Sequence, residues 1–184
     1  MTPTQKAPVE NTTNNPTTST TDCKLVIARE FDAPRELVWK AWTEPGQIKE
    51  WLGSGEGMTV ESVRADLRVG GKFRTQIKSA EGEFFTAAGT YLEVKTPERL
   101  VYTWDWEKDG SGMEFGELEG NETQLTVEFR ASGKQTQLVL THEKFASVAS
   151  RDRHEGGWQV WMGRLATFIA AKSGTTTNGQ INNK

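Results

Sequence analysis

Two histidines, His142 and His154, are the residues best suited to proton transfer or metal binding in this 184-residue chain. The pattern around them predicts that His142 ends the last strand and His154 opens the last helix, so both should lie near one edge of a sheet. A metal site needs more ligands, and neither HExxH nor a two-histidine-plus-carboxylate spacing is present. A general base at His142 needs a positioned partner, and Glu143 projects from the opposite face of the strand. We therefore expect His142 to be a hydrogen-bonded structural residue, with catalysis as the alternative, and assign no catalytic, metal-binding or cofactor-binding residue.

The remaining polar motifs fit structural roles. A single cysteine, Cys23, can form neither an internal disulfide nor a thiolate zinc site within one chain. The glycine motif at residues 66–71 (DLRVGG) precedes a strand, whereas phosphate-binding loops open a helix. It predicts a hairpin turn with a glycine at positive φ and an Asp66–Arg68 pair. The glycine-rich residues 53–57 are interpreted as a flexible corner.

An acidic, glycine-rich stretch lies at residues 107–122. Its spacing does not match a calcium-binding loop, which needs oxygen ligands at alternate positions before a fixed glycine and a closing glutamate. We interpret it as a solvated loop. Its apolar residues Met113, Phe115 and Leu118 leave two further hypotheses open, a cover over an opening or a surface for a partner.

Aromatic side chains provide the strongest indication of a binding site. The chain has 17 of them, seven being tryptophan. The simpler interpretation is a packed core, and the functional one is the lining of an apolar pocket with a few orienting polar groups. The candidate cavity residues are Phe73, Thr75, Tyr91, Tyr102, Trp104, Trp106, His142, Trp158, Trp161, Met162 and Leu165. Thr86 and Gln159 are further candidates for the polar groups, and the sequence leaves open which of these face inward.

The elements that must position these residues follow from hydrophobic periodicity. Residues 24–31 predict a strand, and two short helices follow around Pro34 and Pro45, the first capped by Asp32. Six further strands are predicted at residues 58–66, 71–79, 83–95, 99–107, 122–131 and 135–143. Because the connections are mostly short, adjacent strands should run antiparallel, with one apolar and one polar face.

A long amphipathic helix is predicted after the last strand. It should begin near Ser150 or Asp152, with Asp152 and Glu155 at capping-box spacing, and end at about Lys172. Its apolar residues recur every three or four positions and form one broad stripe from Trp158 to Ile169. Packing this stripe on the sheet's apolar face predicts a two-layer α+β domain.

Composition limits the class of protein. The net charge is −3 and hydrophobic residues make up 35% of the chain. The polar ends, residues 1–22 and 173–184, are expected to be disordered tails around one domain at residues 23–172. No stretch is long and apolar enough for a membrane span, and no signal peptide is recognised, so we expect a cytoplasmic protein. The acidic balance argues against nucleic-acid binding.

Five motifs together resemble a known family. They lie at residues 29–39 (REFDAPRELVW), 42–51 (WTEPGQIKEW), 66–71 (DLRVGG), 140–145 (LTHEKF) and 157–165, and they span residues 25–170. The chain resembles the C-terminal-domain type of the family named after the activator of the 90-kDa heat-shock protein ATPase, in the START-like (SRPBCC) superfamily. This resemblance implies the helix-grip fold, a curved antiparallel seven-stranded sheet in the order β-α-α-β6-α, wrapped on the long C-terminal helix.

The same resemblance implies several functions. Members of the superfamily use the space beneath the long helix to bind lipids, polyketides or other apolar molecules, so we expect a small-molecule binding protein without a cofactor. One alternative is a co-chaperone-like regulator of the 90-kDa heat-shock protein, in keeping with a role in stress response. Another is an enzyme of cyclase or hydrolase type acting on an aromatic or polyketide substrate, an analogy that rests on fold alone.

Overall fold

The computed structural model describes residues 17–21, 23–54, 57–107 and 122–175. Most of both expected tails lies outside these ranges, as do the acidic loop with Met113, Phe115 and Leu118 and part of the glycine-rich corner. The elements are β1 (Thr17–Thr21), β2 (Lys24–Phe31), α1 (Arg35–Thr43), α2 (Pro45–Leu52), β3 (Met58–Ala65), β4 (Lys72–Ser79), β5 (Phe84–Lys95), β6 (Arg99–Glu107), β7 (Thr123–Ser132), β8 (Gln135–Glu143) and α3 (Val148–Thr175).

All strands of the described chain form one antiparallel sheet in the order β1-β2-β8-β7-β6-β5-β4-β3. The sheet curls around α3, and α1 and α2 lie between β2 and β3 in the chain. The predicted α+β helix-grip architecture is confirmed, with its seven strands in the predicted order. β2 pairs with β8, so the first predicted strand lies beside the last one in the sheet.

One strand was not predicted. Residues 17–21 form β1, which pairs with β2 from Thr17↔Ala28 to Thr21↔Lys24 and adds an eighth strand at the edge. These residues fall inside the segment expected to be a disordered tail, so that expectation is wrong for them. Threonine favours extended backbone, and an edge position requires no apolar face, which is why the hydrophobic pattern gave no signal.

Two helix starts also differ from the predictions. The N-cap of α1 is Pro34, without a side-chain cap, and not Asp32. The helix α3 begins at Val148, earlier than predicted, because the Ser147 hydroxyl accepts a hydrogen bond from the Ser150 backbone N–H at 3.1 Å. Ser147 is therefore the cap residue, and Asp152 lies within the helix. The helix also continues to Thr175, beyond the predicted end at Lys172.

The core lies between the concave face of the sheet and the apolar stripe of α3. Alternate residues of β7 and β8 point into it, including Leu125, Val127, Leu138 and Leu140, all fully buried. Such alternation is expected for a sheet with one covered face. No helix of the described chain is both long enough and apolar enough to cross a membrane.

The turn at residues 66–71 is confirmed as a structural device. Gly70 has φ +79°, and a side chain on Gly71 would place its Cβ 2.0 Å from the carbonyl oxygen of Asp66. The guanidinium of Arg68 contacts the Asp66 carboxylate at 2.8 Å. The turn therefore needs glycine for its backbone path.

Candidate functional site

Two adjacent cavities lie between the sheet and the helices. The inner one is small, about 60 Å³, enough for only a few water molecules. Its walls come from α1, α2, β3 to β6 and the tryptophans of α3. The lining residues are Trp42, Ile48, Trp51, Leu52, Val63, Arg64, Ala65, Phe73, Thr75, Ile77, Ala87, Tyr91, Leu100, Tyr102, Trp104, Trp158 and Trp161.

The outer cavity is larger, about 310 Å³. It lies between the ends of β3 to β6 and the first half of α3, and it shares Ile77, Trp104, Trp158 and Trp161 with the inner cavity. Its other lining residues are Met58, Phe85, Trp106, Arg153, His154, Gly156, Gly157 and Val160. This volume is at the lower end of the range of about 300–1,000 Å³ found for small-molecule sites.

The residues predicted to form a cavity separate into two groups. Eight line one or both cavities, namely Phe73, Thr75, Tyr91, Tyr102, Trp104, Trp106, Trp158 and Trp161. His142, Met162 and Leu165 line neither cavity and are buried in the core. Met162 and Leu165 lie on the stripe of α3 that packs against the sheet, which the helical periodicity alone does not distinguish from the stripe facing the cavity.

Several lining residues were not predicted. Trp42 of α1 and Ile48, Trp51 and Leu52 of α2 line the inner cavity and were not among the predicted cavity residues. Gly156 and Gly157 line the outer cavity without side chains. Two consecutive glycines are unfavourable inside a helix. Their presence in a predicted helix is a sequence feature that indicates a functional or packing requirement at these positions.

The walls form a connected set of aromatic rings. Trp42 stacks on both Trp51 and Trp158, with ring centroids 5.9 and 6.1 Å apart. Trp158 meets Trp161 edge to face at 5.2 Å, and Trp104 lies 5.4 Å from Trp158. Rings from β6, α1, α2 and α3 thus pack on one another across four elements.

His142 lies in the core behind this wall and is joined to it by a chain of buried hydrogen bonds. Trp158 Nε1 donates to His142 Nδ1 at 3.1 Å, and the Thr123 hydroxyl donates to the Trp104 carbonyl at 2.8 Å. The Thr123 oxygen therefore accepts from His142 Nε2, 2.7 Å away. Both ring nitrogens are engaged, and the geometry requires the neutral Nε2–H tautomer.

Protonation of His142 is opposed by its surroundings. Burial lowers the pKa of His142 well below its usual value, and the nearby His154 lowers it further. The ring is fully buried. A general base needs a free nitrogen within reach of its substrate, so the structural interpretation of His142 is the one that its contacts favour.

His154 lies at the outer cavity, 5.1 Å from His142 between ring centroids, as the sequence predicted for the two histidines. Its Nε2 accepts a hydrogen bond from Trp106 Nε1 at 3.2 Å, and its Nδ1 donates to the Ser150 carbonyl at 2.8 Å. Burial lowers the pKa of His154, the Ser150 carbonyl partly opposes this, and Arg153 lowers it again. The neutral ring is needed for the bond to Trp106.

Trp104 differs from the other tryptophans at the centre of the site. Its ring lines both cavities, and its Nε1–H is buried without a hydrogen-bond acceptor. An unsatisfied buried donor costs about 1–3 kcal/mol. Nearly all buried N–H groups in proteins are paired, so this exception in a cavity wall is significant.

The two tyrosines of the inner cavity keep their protons. Burial and the charge of Asp66 raise the pKa of Tyr91 to about 12. Burial also raises the pKa of Tyr102, whose oxygen accepts a hydrogen bond from Trp42 Nε1 at 3.3 Å. Both hydroxyls are therefore neutral at physiological pH.

The charged residues of the two linings are arginines. Arg64 lines the inner cavity and Arg153 the outer one, and no aspartate or glutamate is among the described lining residues. Within the described ranges, no group of three or more histidine, cysteine, aspartate or glutamate side chains is arranged to hold a metal ion. The site therefore combines apolar walls with hydrogen-bond donors.

A family model decides the relationship of this chain to known proteins. The model of the Activator of Hsp90 ATPase homolog 1-like (AHSA1) proteins matches residues 32–170, which is most of the chain. The chain belongs to this family. No curated protein matches the chain.

Solved structures of similar fold agree with this family. The AHSA1 protein from Silicibacter pomeroyi is 24% identical, with a TM-score of 0.68 over 81% of this chain and 99% of its own. A protein from Rhodobacter sphaeroides is 21% identical, with a TM-score of 0.71 over 85% and 99%. CalU16 from Micromonospora echinospora is 25% identical, with a TM-score of 0.58 over 82% and 78%. These likenesses support the helix-grip fold of this AHSA1-family protein.

Proposed function

We propose that this AHSA1-family protein binds a small apolar molecule, of aromatic or lipid-like chemistry, in the outer cavity. The observation that carries the proposal is the cavity of about 310 Å³ between β3 to β6 and α3, walled by aromatic and aliphatic side chains. Apolar surface moved from water into such a cavity is stabilised by about 25 cal/mol per Å². Arg153 supplies a polar side chain at its wall, as small-molecule sites require.

The two glycines of α3 support the proposal. A Cβ built on Gly156 or Gly157 meets no atom within 4 Å, although both residues line the cavity. Alanine would favour the helix by about 1 kcal/mol at each position. The helix therefore forgoes stability at two adjacent positions that line the outer cavity.

A cavity-filling variant tests this proposal. Gly157→Leu places a side chain at the outer cavity, whereas Gly163→Leu adds the same side chain to the same helix at a residue that lines neither cavity and whose Cβ also meets no atom within 4 Å. We expect the uncharged fluorescent probe N-phenyl-1-naphthylamine to bind the wild type and Gly163→Leu saturably, and Gly157→Leu at least about tenfold more weakly.

Two results would contradict the proposal. One is the absence of saturable binding to the wild type, both of this probe and of any apolar molecule retained in native mass spectrometry of the protein purified from its source. The other is equal affinity of Gly157→Leu and Gly163→Leu, which would place the probe elsewhere on the surface.

The family match favours a second candidate. Its description refers to activation of the Hsp90 ATPase, so a co-chaperone-like action on the 90-kDa heat-shock protein is the alternative. Such an action would use an exposed surface, and Gly157→Leu should leave it intact. The test is the ATPase rate of that chaperone with excess wild-type protein, and an unchanged rate would exclude this candidate.

A further inference from the structure

We infer that the ligand of this site carries a hydrogen-bond acceptor, such as a ketone oxygen, which binds the Nε1–H of Trp104. The inference rests on the proposed function, because it names the chemistry of the molecule bound in the same cavities. It assigns to Trp104 a ligand-binding role beyond packing.

Trp104 differs from the surrounding indoles in its hydrogen bonding. Trp42, Trp51, Trp106 and Trp158 each donate their Nε1–H to a protein acceptor, at distances of 2.8 to 3.3 Å. The same group of Trp104 is buried and has no acceptor. Since the neighbouring indoles show that this fold readily provides acceptors, the missing one at Trp104 indicates that its partner comes from outside the chain.

Trp104 lies between the two cavities. Trp104 is one of four residues that line both the inner and the outer cavity. Of the other two indoles in that set, Trp158 already donates to His142. The rings of Phe73, Trp158 and Trp161 surround Trp104 at centroid distances of 5.4 to 6.1 Å. A planar apolar molecule in these cavities would lie against the Trp104 indole, and this indole must turn for its buried Nε1–H to reach an acceptor on the molecule.

The walls of the two cavities carry hydrogen-bond donors. Arg64 and Arg153 are hydrogen-bond donors, and no described lining residue is an aspartate or glutamate. The high pKa values of Tyr91 and Tyr102 keep both hydroxyls protonated, so they also can donate. A ligand with an acceptor oxygen complements such walls.

A matched pair of ligands measures the contribution of this hydrogen bond. Fluorene and 9-fluorenone have the same ring system and differ at one carbon, a CH₂ in the first and a carbonyl in the second. Equilibrium dialysis should show 9-fluorenone binding the wild type about tenfold more tightly than fluorene. In Trp104→Phe, which keeps an aromatic ring but removes the N–H, the ratio of the two affinities should fall to about one.

Trp158→Phe is the control, because Trp158 lines the same two cavities and its N–H is already bound to His142. It should keep the preference for 9-fluorenone even if both affinities fall. A second readout on the wild type is the infrared carbonyl stretch of bound 9-fluorenone, which hydrogen bonding lowers. We expect a lower frequency in the wild type than in Trp104→Phe.

The outcomes separate this inference from the proposed function. Equal affinity of the two compounds for the wild type, or an unchanged ratio in Trp104→Phe, would overturn the inference while leaving an apolar binding site intact. If neither compound binds the wild type, and N-phenyl-1-naphthylamine also fails to bind, the proposed function and this inference fall together. If both compounds bind the wild type with equal affinity and Gly157→Leu abolishes their binding, the inference is overturned and the proposed function stands.

Discussion

The Nε1–H of Trp158 donates a hydrogen bond to Nδ1 of His142 across 3.1 Å, and this contact determines the protonation state of the histidine. With Nδ1 occupied as an acceptor, the proton must reside on Nε2, where it is donated to Thr123. The bond joins α3 to β8 at the inner wall of the site. A residue type that suggests catalysis therefore acts here to hold a cavity wall in position.

His142→Ala should destabilise the fold strongly. The change leaves a cavity and removes the acceptor of a buried indole N–H, and together these should lower the free energy of unfolding by about 2–4 kcal/mol. Urea unfolding followed by tryptophan fluorescence measures this loss. Glu143→Gln, at the next and more exposed position, is the control and should change stability by less than about 0.5 kcal/mol. A similar small change in His142→Ala would contradict the role described for this residue.

The two histidines should make stability depend on pH. Burial holds the pKa values of His142 and His154 below the usual value of 6.5, so the unfolded chain binds more protons than the folded one as the pH falls below about 6.5. Their contribution to stability is therefore complete above the unfolded pKa and is lost as the pH falls towards the folded values, by up to about 1.4 kcal/mol per pH unit for each ring.

Denaturant unfolding between pH 5 and 7.5 measures this slope. His154→Gln should reduce it, because one of the two titrating rings is removed. Long-range ¹H–¹⁵N NMR should also show His142 as the Nε2–H tautomer and His154 as the Nδ1–H tautomer at pH 7. A histidine that titrates near 6.5 in the folded protein would contradict these assignments.

Two tryptophan-to-phenylalanine changes should lower the free energy of unfolding by different amounts. Trp158→Phe leaves the Nδ1 of buried His142 without a donor and should lower the free energy of unfolding by about 1–3 kcal/mol. Trp104→Phe removes a donor that has no partner, so the loss of ring contacts is offset and the cost should be smaller. Unfolding curves of both variants, without ligand, provide the comparison. A larger cost for Trp104→Phe would show that its N–H is satisfied within the protein.

Two glycines, Gly89 of the sheet and Gly156 of the outer cavity, should respond to alanine in opposite directions. At Gly89 in β5 an added Cβ would lie 1.8 Å from the Thr103 carbonyl oxygen, so Gly89→Ala should destabilise the sheet by about 1–3 kcal/mol. At Gly156 in α3 the space is open, so Gly156→Ala should stabilise the helix by roughly 0.5–1 kcal/mol. Thermal unfolding of the two variants checks both signs, and a destabilised Gly156→Ala would indicate an unrecognised contact there.

Most of the sheet could be predicted because its signals are local. Alternation such as Phe73, Thr75 and Ile77 against Lys72 and Arg74 locates β4 and shows which side is covered. The short connections then determine antiparallel neighbours. The edge strand β1 has no such alternation, and its existence depends on hydrogen bonds with β2, so only the assembled sheet reveals it.

The sequence by itself determined the α+β class, the order of the elements and the aromatic character of the site, because hydrophobic period and turn residues are properties of short segments. Tertiary structure decided which aromatic residues line a cavity and which, like Met162 and Leu165, pack in the core. It also decided that His142 is satisfied by Trp158 and Thr123 while Trp104 Nε1 is left without a partner. The reason is physical. Whether a buried polar atom has a hydrogen-bond partner depends on residues that are distant in the chain. The local sequence pattern does not specify which of those residues pack against it.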